Sequence, residues 1–302
     1  MLALYMTRKS EVSIRPEVVP TEINVEKTEG VKEISVERKE EKVVSKSEMK
    51  NDVVPSVVVV EKNETYKETY QDQYQKLTLK GRSLTREERQ EFYDFIRTGP
   101  NDIKTLYLKD VMMSKLERQG TKVSELIPEF IKIVVDRNLD GEMRGYVTQH
   151  LRTAYGRSDD VERGVLKEFF FRAVEDYESD VAGTALSAIV NLNDQFGDFD
   201  DFKIKEAALK LVTNEKTSVP SLITGLQLAG KLRLKEALPV ARKMAKESSD
   251  LTLKVAAIYT LGQVGDHEDL AFLEEVFESK KETDAHFHQV ADNSINKIYD
   301  RF

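Results

Sequence analysis

The sequence predicts an all-α fold, a right-handed α-α superhelix of about five helix pairs plus capping helices, set behind a disordered N-terminal tail. Three observations carry that expectation. From residue 83 onward apolar side chains recur at three- and four-residue intervals, and Gly, Asp, Asn or Ser turns break the pattern every dozen or so residues. Between Leu4 and Leu77 there is no leucine, phenylalanine or tryptophan. Blocks of the helical pattern then repeat at offsets of 32 and 40 residues, within the range of two-helix repeats.

The tail comes first. Residues 1–62 are rich in Val, Glu, Lys, Ser and Thr and cannot bury enough apolar area to offset the entropy of ordering. Residues 1–82 hold 15 basic and 15 acidic side chains, so the formal charge of -8 belongs wholly to the remainder. Pro55 precedes a four-valine run, Val57 to Val60, flanked by Glu61 and Lys62. Three readings of it stand: an inert linker, a strand that docks on a partner's sheet edge, or a local strand against the repeats. Tyr66, Tyr70, Tyr74 and Leu77 share one face of a short helix or linker over 63–82, which caps the first repeat, anchors a partner or stays disordered.

The repeat domain spans 83–302. Thr85 with Glu88 fits a capping box, and Phe92, Phe95 and Ile96 follow until Gly99 and Pro100 stop the helix. Asn101 or Asp102 caps the next, with Leu106, Leu108, Val111, Met112 and Leu116 apolar up to Gly120. Its partner covers 124–138, with Leu126, Ile127, Phe130, Ile131, Val134 and Val135 as the buried stripe. Further pairs are expected at 140–156 and 159–177, 180–194 and 201–213, 218–231 and 235–247, and 250–264 and 267–280. A last helix near 284–300, with Phe287, Val290, Ile295, Ile298 and Tyr299, closes the array.

Register supports the repeats. Ile223, Leu226, Ala229 and Gly230 superpose on Val255, Ile258, Leu261 and Gly262 at the offset of 32. Gly183, Leu186 and Ile189 align forty residues before the fourth pair, and Lys205, Glu206, Ala207 recurs as Lys235, Glu236, Ala237. The stretch from Lys254 through Ala256, Ala257, Leu261, Gly262, Gly265 and Asp266 to Leu270 and Leu273 resembles the HEAT-like repeat first described in bilin lyases. That resemblance implies close helix approach at the small residues and a Gly-Asp turn whose Asp caps the second helix. The fourth repeat departs from it, with Lys231, Leu232 and Arg233 where the Gly-Asp turn belongs. Lyase activity does not carry over, because the motif is structural and nothing in the chain matches a lyase site.

Composition narrows the function. The chain has no cysteine, which removes disulfides, thiolate metal sites and cysteine nucleophiles. Net acidity, with a pI near 5.3, opposes nucleic acid and anionic membranes as partners. No apolar run approaches the roughly 18 residues of a membrane span. The apolar opening from Met1 to Met6 is too short for a signal-peptide core, so the location expected by default is cytoplasmic, or extracytoplasmic if a leader lies upstream.

Candidate chemistry is sparse. Asp136, Asn138, Asp140 and Gly141 open like a calcium loop, but Val147 stands where the bidentate Glu belongs and Arg144 where a cation needs oxygen. Asn191, Asn193, Asp194, Asp198, Asp200 and Asp201 gather around Gly197 in no metal-binding spacing, which reads as turn and cap chemistry. His150, His267, His286 and His288 include no i, i+4 pair. Phe169, Phe170 and Phe171 are consecutive, reading as a thick inter-repeat contact before a base-stacking platform. No catalytic, metal or cofactor-binding residue is assigned, and no cofactor. Arg163, Lys167, Lys210, Arg242, Lys243 and Lys246 fall on second helices, which usually line the concave face in resembling proteins, and read as part of a mixed solvated surface before a strip for an acidic peptide. The expected function is a non-catalytic helical-repeat scaffold holding a protein or peptide on its surface; the alternative is a helical-repeat enzyme or nucleic-acid-processing protein.

Overall fold

The computed structural model describes residues 84–118, 122–278 and 285–302, with the backbone alone at Ile103 and Lys104. The readings of the 1–62 tail, of the 63–82 segment and of the Gly120 turn lie outside the described residues. Those described all fall in the second of the chain's two units, Val58–Phe302.

Every regular element among them is helical. In order these are α1 (Arg86–Thr98), α2 (Ile103–Arg118), α3 (Val123–Val135), α4 (Gly141–Tyr155), α5 (Asp160–Ala173), α6 (Asp180–Phe196) and α7 (Asp201–Thr213). Then come α8 (Val219–Lys231), a 3-10 turn (Lys235–Ala237), α9 (Leu238–Glu247), α10 (Leu251–Val264), α11 (His267–Glu278) and α12 (Ala285–Tyr299).

Most starts are set by side-chain caps that satisfy amides with no intrahelical acceptor, α3 and α9 being without one. Thr85 and Glu88 form the expected reciprocal box on α1, and Asp159 with Glu162 makes a second on α5. Asp102 accepts from the Thr105 amide at 3.2 Å, while Asn101 takes the Lys109 ammonium instead. Asp140, Asp200, Ser218 and Asp250 cap α4, α7, α8 and α10.

Three details differ from the expectation. The α3 helix stops at Val135, which is 61% exposed, and Ile133 takes the buried place, because Asp136 turns the chain by accepting the Asn138 amide. Tyr299 is also exposed, and its hydroxyl donates to Glu274 at 2.9 Å. The stretch expected to begin a helix at 235 is a 3-10 turn before α9, which places Pro239 in the first helical turn, where its missing amide proton costs no intrahelical bond.

Packing follows the order of the chain. The even-numbered helices from α2 to α12 form one row in which each lies against the next, and each odd helix from α3 to α11 packs on the even helix that follows it. From α6 to α12 contact along the even row is close because each junction sets a glycine against a hydroxyl residue. Gly183 of α6 faces Ser221 of α8, whose hydroxyl accepts the Gly183 amide at 2.9 Å and donates to the Ser179 carbonyl at 2.8 Å. Gly230 of α8 lies against Thr260 of α10, whose hydroxyl donates to the Leu226 carbonyl at 2.8 Å. Gly262 of α10 meets Ser294 of α12, which donates to the Ile258 carbonyl at 3.1 Å. The aligned trios Leu186, Leu226, Ile258 and Ile189, Ala229, Leu261 are all fully buried, so the sequence register is also a packing register.

The fourth repeat solves its missing Gly-Asp turn differently. Arg233 adopts the left-handed conformation at φ 59°. The Leu234 amide then reaches the Ala229 carbonyl at 3.0 Å and the Arg233 amide the Gly230 carbonyl at 3.1 Å, a Schellman closure made without glycine. The Arg233 guanidinium donates to the Gln263 carbonyl at the end of α10. In the fifth repeat Asp266 accepts the Glu268 amide at 3.0 Å, as the resemblance implied, and Asp269 accepts the Asp266 amide in return.

Candidate docking groove

Between α5 and α7 the surface opens into a groove of about 590 Å³. Its floor is apolar, formed by Phe171, Val174, Phe199 and Ala207, with Tyr177 at one end. Phe169 and Phe170 are buried, and only Phe171 is left half-exposed, its ring 6.1 Å from that of Phe199. The three consecutive rings therefore divide between core and groove, as their roughly 100° steps around a helix require.

The α6–α7 connection builds one wall. Gly197 ends α6 in the left-handed conformation at φ 67°, its amide on the Asn193 carbonyl at 2.8 Å. Asn193 also accepts the Phe199 amide at 3.0 Å and donates to Asp201 at 2.8 Å, which holds Phe199 in the groove floor. The oxygen-rich loop is thus internally occupied: Asp198 accepts the Tyr155 hydroxyl at 2.9 Å, Asp200 caps α7, and Asp194 pairs with Lys231 at 2.5 Å.

The six basic residues of the expected strip have different fates. Arg163 lies over the Tyr155 and Phe196 rings, at 5.3 and 5.0 Å from their centroids, and faces Asp198. Arg242 is clamped by Asp269 at 2.8 Å and Asp266 at 3.1 Å; those contacts, the Asp269 hydrogen bond foremost, hold its pKa above the ordinary arginine value against its burial. Lys210 pairs with Glu206 at 2.8 Å, and Lys246 lies over the Phe272 ring. Lys243 is exposed. Lys167 and Lys210 alone among the six line the groove, which also recruits Arg172 and Lys203. Sequence reading missed those two because only the α5–α7 spacing selects them.

Other predicted positions have structural partners. The calcium-like loop is a helix-to-helix turn, where Arg144, 5% exposed, donates to the Val134 carbonyl and pairs with Asp176. His150 of α4 is buried between Glu117 at 2.9 Å and Asp110 at 3.1 Å, both on α2. Burial, the largest influence, pulls its pKa down, but hydrogen bonds and charge from the two carboxylates outweigh it and raise it to about 9. The imidazolium then donates from both nitrogens at neutral pH and ties α4 to α2. Lys109, also buried, donates to the Gly99 carbonyl at 2.7 Å and Asn101 at 2.9 Å, and desolvation lowers its pKa to about 8. His267 stacks with Phe302 at 4.2 Å between centroids, and His288 contacts the Phe277 carbonyl at 3.0 Å.

Among the described residues no three His, Asp or Glu side chains gather as a metal site, and no described helix is long and apolar enough to cross a membrane. No protein-family model, curated protein or solved structure matches the chain.

Proposed function

We propose that residues 83–302 form a HEAT-like α-helical solenoid that serves as a non-catalytic scaffold, holding a protein or peptide partner in the α5–α7 groove. The observation that carries this reading is the groove itself: half-exposed Phe171 and Ala207 beside the buried Phe199 and Val174, set between charged walls. Exposed Val161 and Val165 on α5 and Phe202 on α7 extend apolar surface beside it. The repeat register and the glycine junctions support the solenoid, since each helix pair there is buried chiefly by its neighbours.

Gly164 offers a clean test. A Cβ added there meets nothing within 4 Å, so Gly164→Trp places its bulk on the groove lining from an open position. Affinity capture with the full chain should recover a protein partner that Gly164→Trp loses while its melting temperature is kept. Partners retained equally by both proteins would sink the groove as the docking site.

A further inference from the structure

We infer that the α5–α7 groove receives an acidic peptide segment, its apolar or aromatic anchor on the Phe171–Phe199 floor and a carboxylate between Lys167 and Lys203. This rests on the docking reading above and adds the chemistry of the occupant.

The lining looks balanced until its internal pairs are removed. Asp198 is engaged by Tyr155 and Arg163, Asp200 by the first amides of α7, Glu206 by Lys210 and Glu168 by Arg172. Glu175, just beyond the end of α5, is the one acidic residue of the lining for which no ion pair, cap or side-chain hydrogen bond is found among the described residues. Lys167 and Lys203 stand on opposite walls, and among the described residues neither has a carboxylate within ion-pair distance. The Lys167 ammonium lies 5.6 Å from the Phe199 ring centroid, poised over the floor rather than turned away to solvent. An anion between the two would gain charge-assisted hydrogen bonds from both walls. An apolar side chain beneath it would remove the half-exposed Phe171 and Ala207 from water. A basic segment would meet the same ammonium groups as like charges, which costs affinity and selects against it.

The test uses the full-length wild-type chain, Gly164→Trp and the double variant Lys167→Glu/Lys203→Glu. A random dodecapeptide phage library is selected on each, and the leading peptides are measured by fluorescence polarisation. Selection on the wild type should enrich Asp and Glu beside Phe, Trp or Leu. The affinity of those peptides should fall about tenfold or more with the double charge reversal, disappear with Gly164→Trp, and weaken as salt rises from about 50 to about 500 mM. Both lysines are surface groups, so an unchanged melting temperature keeps the charge reversal interpretable. Enrichment of Lys- and Arg-rich peptides that Gly164→Trp blocks would leave the groove standing and overturn its acidic chemistry. Binding indifferent to the charge reversal would overturn that chemistry too. No enrichment on the wild type over Gly164→Trp would overturn both the groove and its occupant.

Discussion

At Gly262 the backbones of α10 and α12 come so close that an added Cβ would lie 2.6 Å from the Ser294 Cβ and 2.7 Å from its Cα. Neither atom can swing aside as the end of a long side chain would, so α12 itself has to move. Gly262→Ala should therefore cost roughly 3 kcal/mol or more, seen as a lower denaturant midpoint. Gly164→Ala makes the opposite case on the same chemistry. It adds its methyl to open space in the middle of a helix and should stabilise by up to about 1 kcal/mol. Equal effects of the two substitutions would show that helix propensity, and not the inter-helix approach, governs both positions. Both glycines are plain in the sequence, and the repeat alignment singles out Gly262. That Gly164 borders a groove is invisible there, because its neighbours across the gap come from α7, some forty residues on.

Among the elements, α2 and α4 are joined by the buried His150 and its two carboxylate partners, which lie about two turns apart on α2. With a folded pKa near 9 against about 6.5 for a free imidazole, its contribution is fully present below pH 6.5 and is lost as pH rises toward 9. The swing is at most about 3 kcal/mol. Lys109 works in the other direction. Its lowered pKa means that stability returns between about pH 8 and 10.5, as the buried amine sheds its proton more readily than in the unfolded chain. Chemical denaturation of the wild type should show stability falling between pH 6.5 and 8, and His150→Asn should flatten that slope. A wild-type slope unchanged by the substitution would place the loss elsewhere. A lone histidine on a helix gives no sequence sign of such a cluster, for Asp110 and Glu117 lie 40 and 33 residues earlier.

Over the whole molecule, the even row is the continuous structure. Each of α4, α6, α8 and α10 is held by even neighbours on both sides as well as by an odd helix, whereas the odd helices from α5 to α11 pack on the even row more than on one another, and the groove opens between α5 and α7. Hydrogen exchange on the full chain should give α6, α8 and α10 the slowest amides and α7 and α9 faster ones. Uniform protection through both rows would mean that the domain opens as one cooperative unit. Sequence alone determined the helical class, most helix boundaries and the register of the last repeats, because 3.6-residue periodicity, caps and small-residue spacing are local signals. It also marked the three phenylalanines of α5 as too many for one face. Only tertiary structure decided which of them reaches solvent, which lysines stand across a groove, and that His150 is buried between two acids. Those outcomes depend on distances between side chains thirty or more residues apart, set by how neighbouring helices pack and carried by no local pattern.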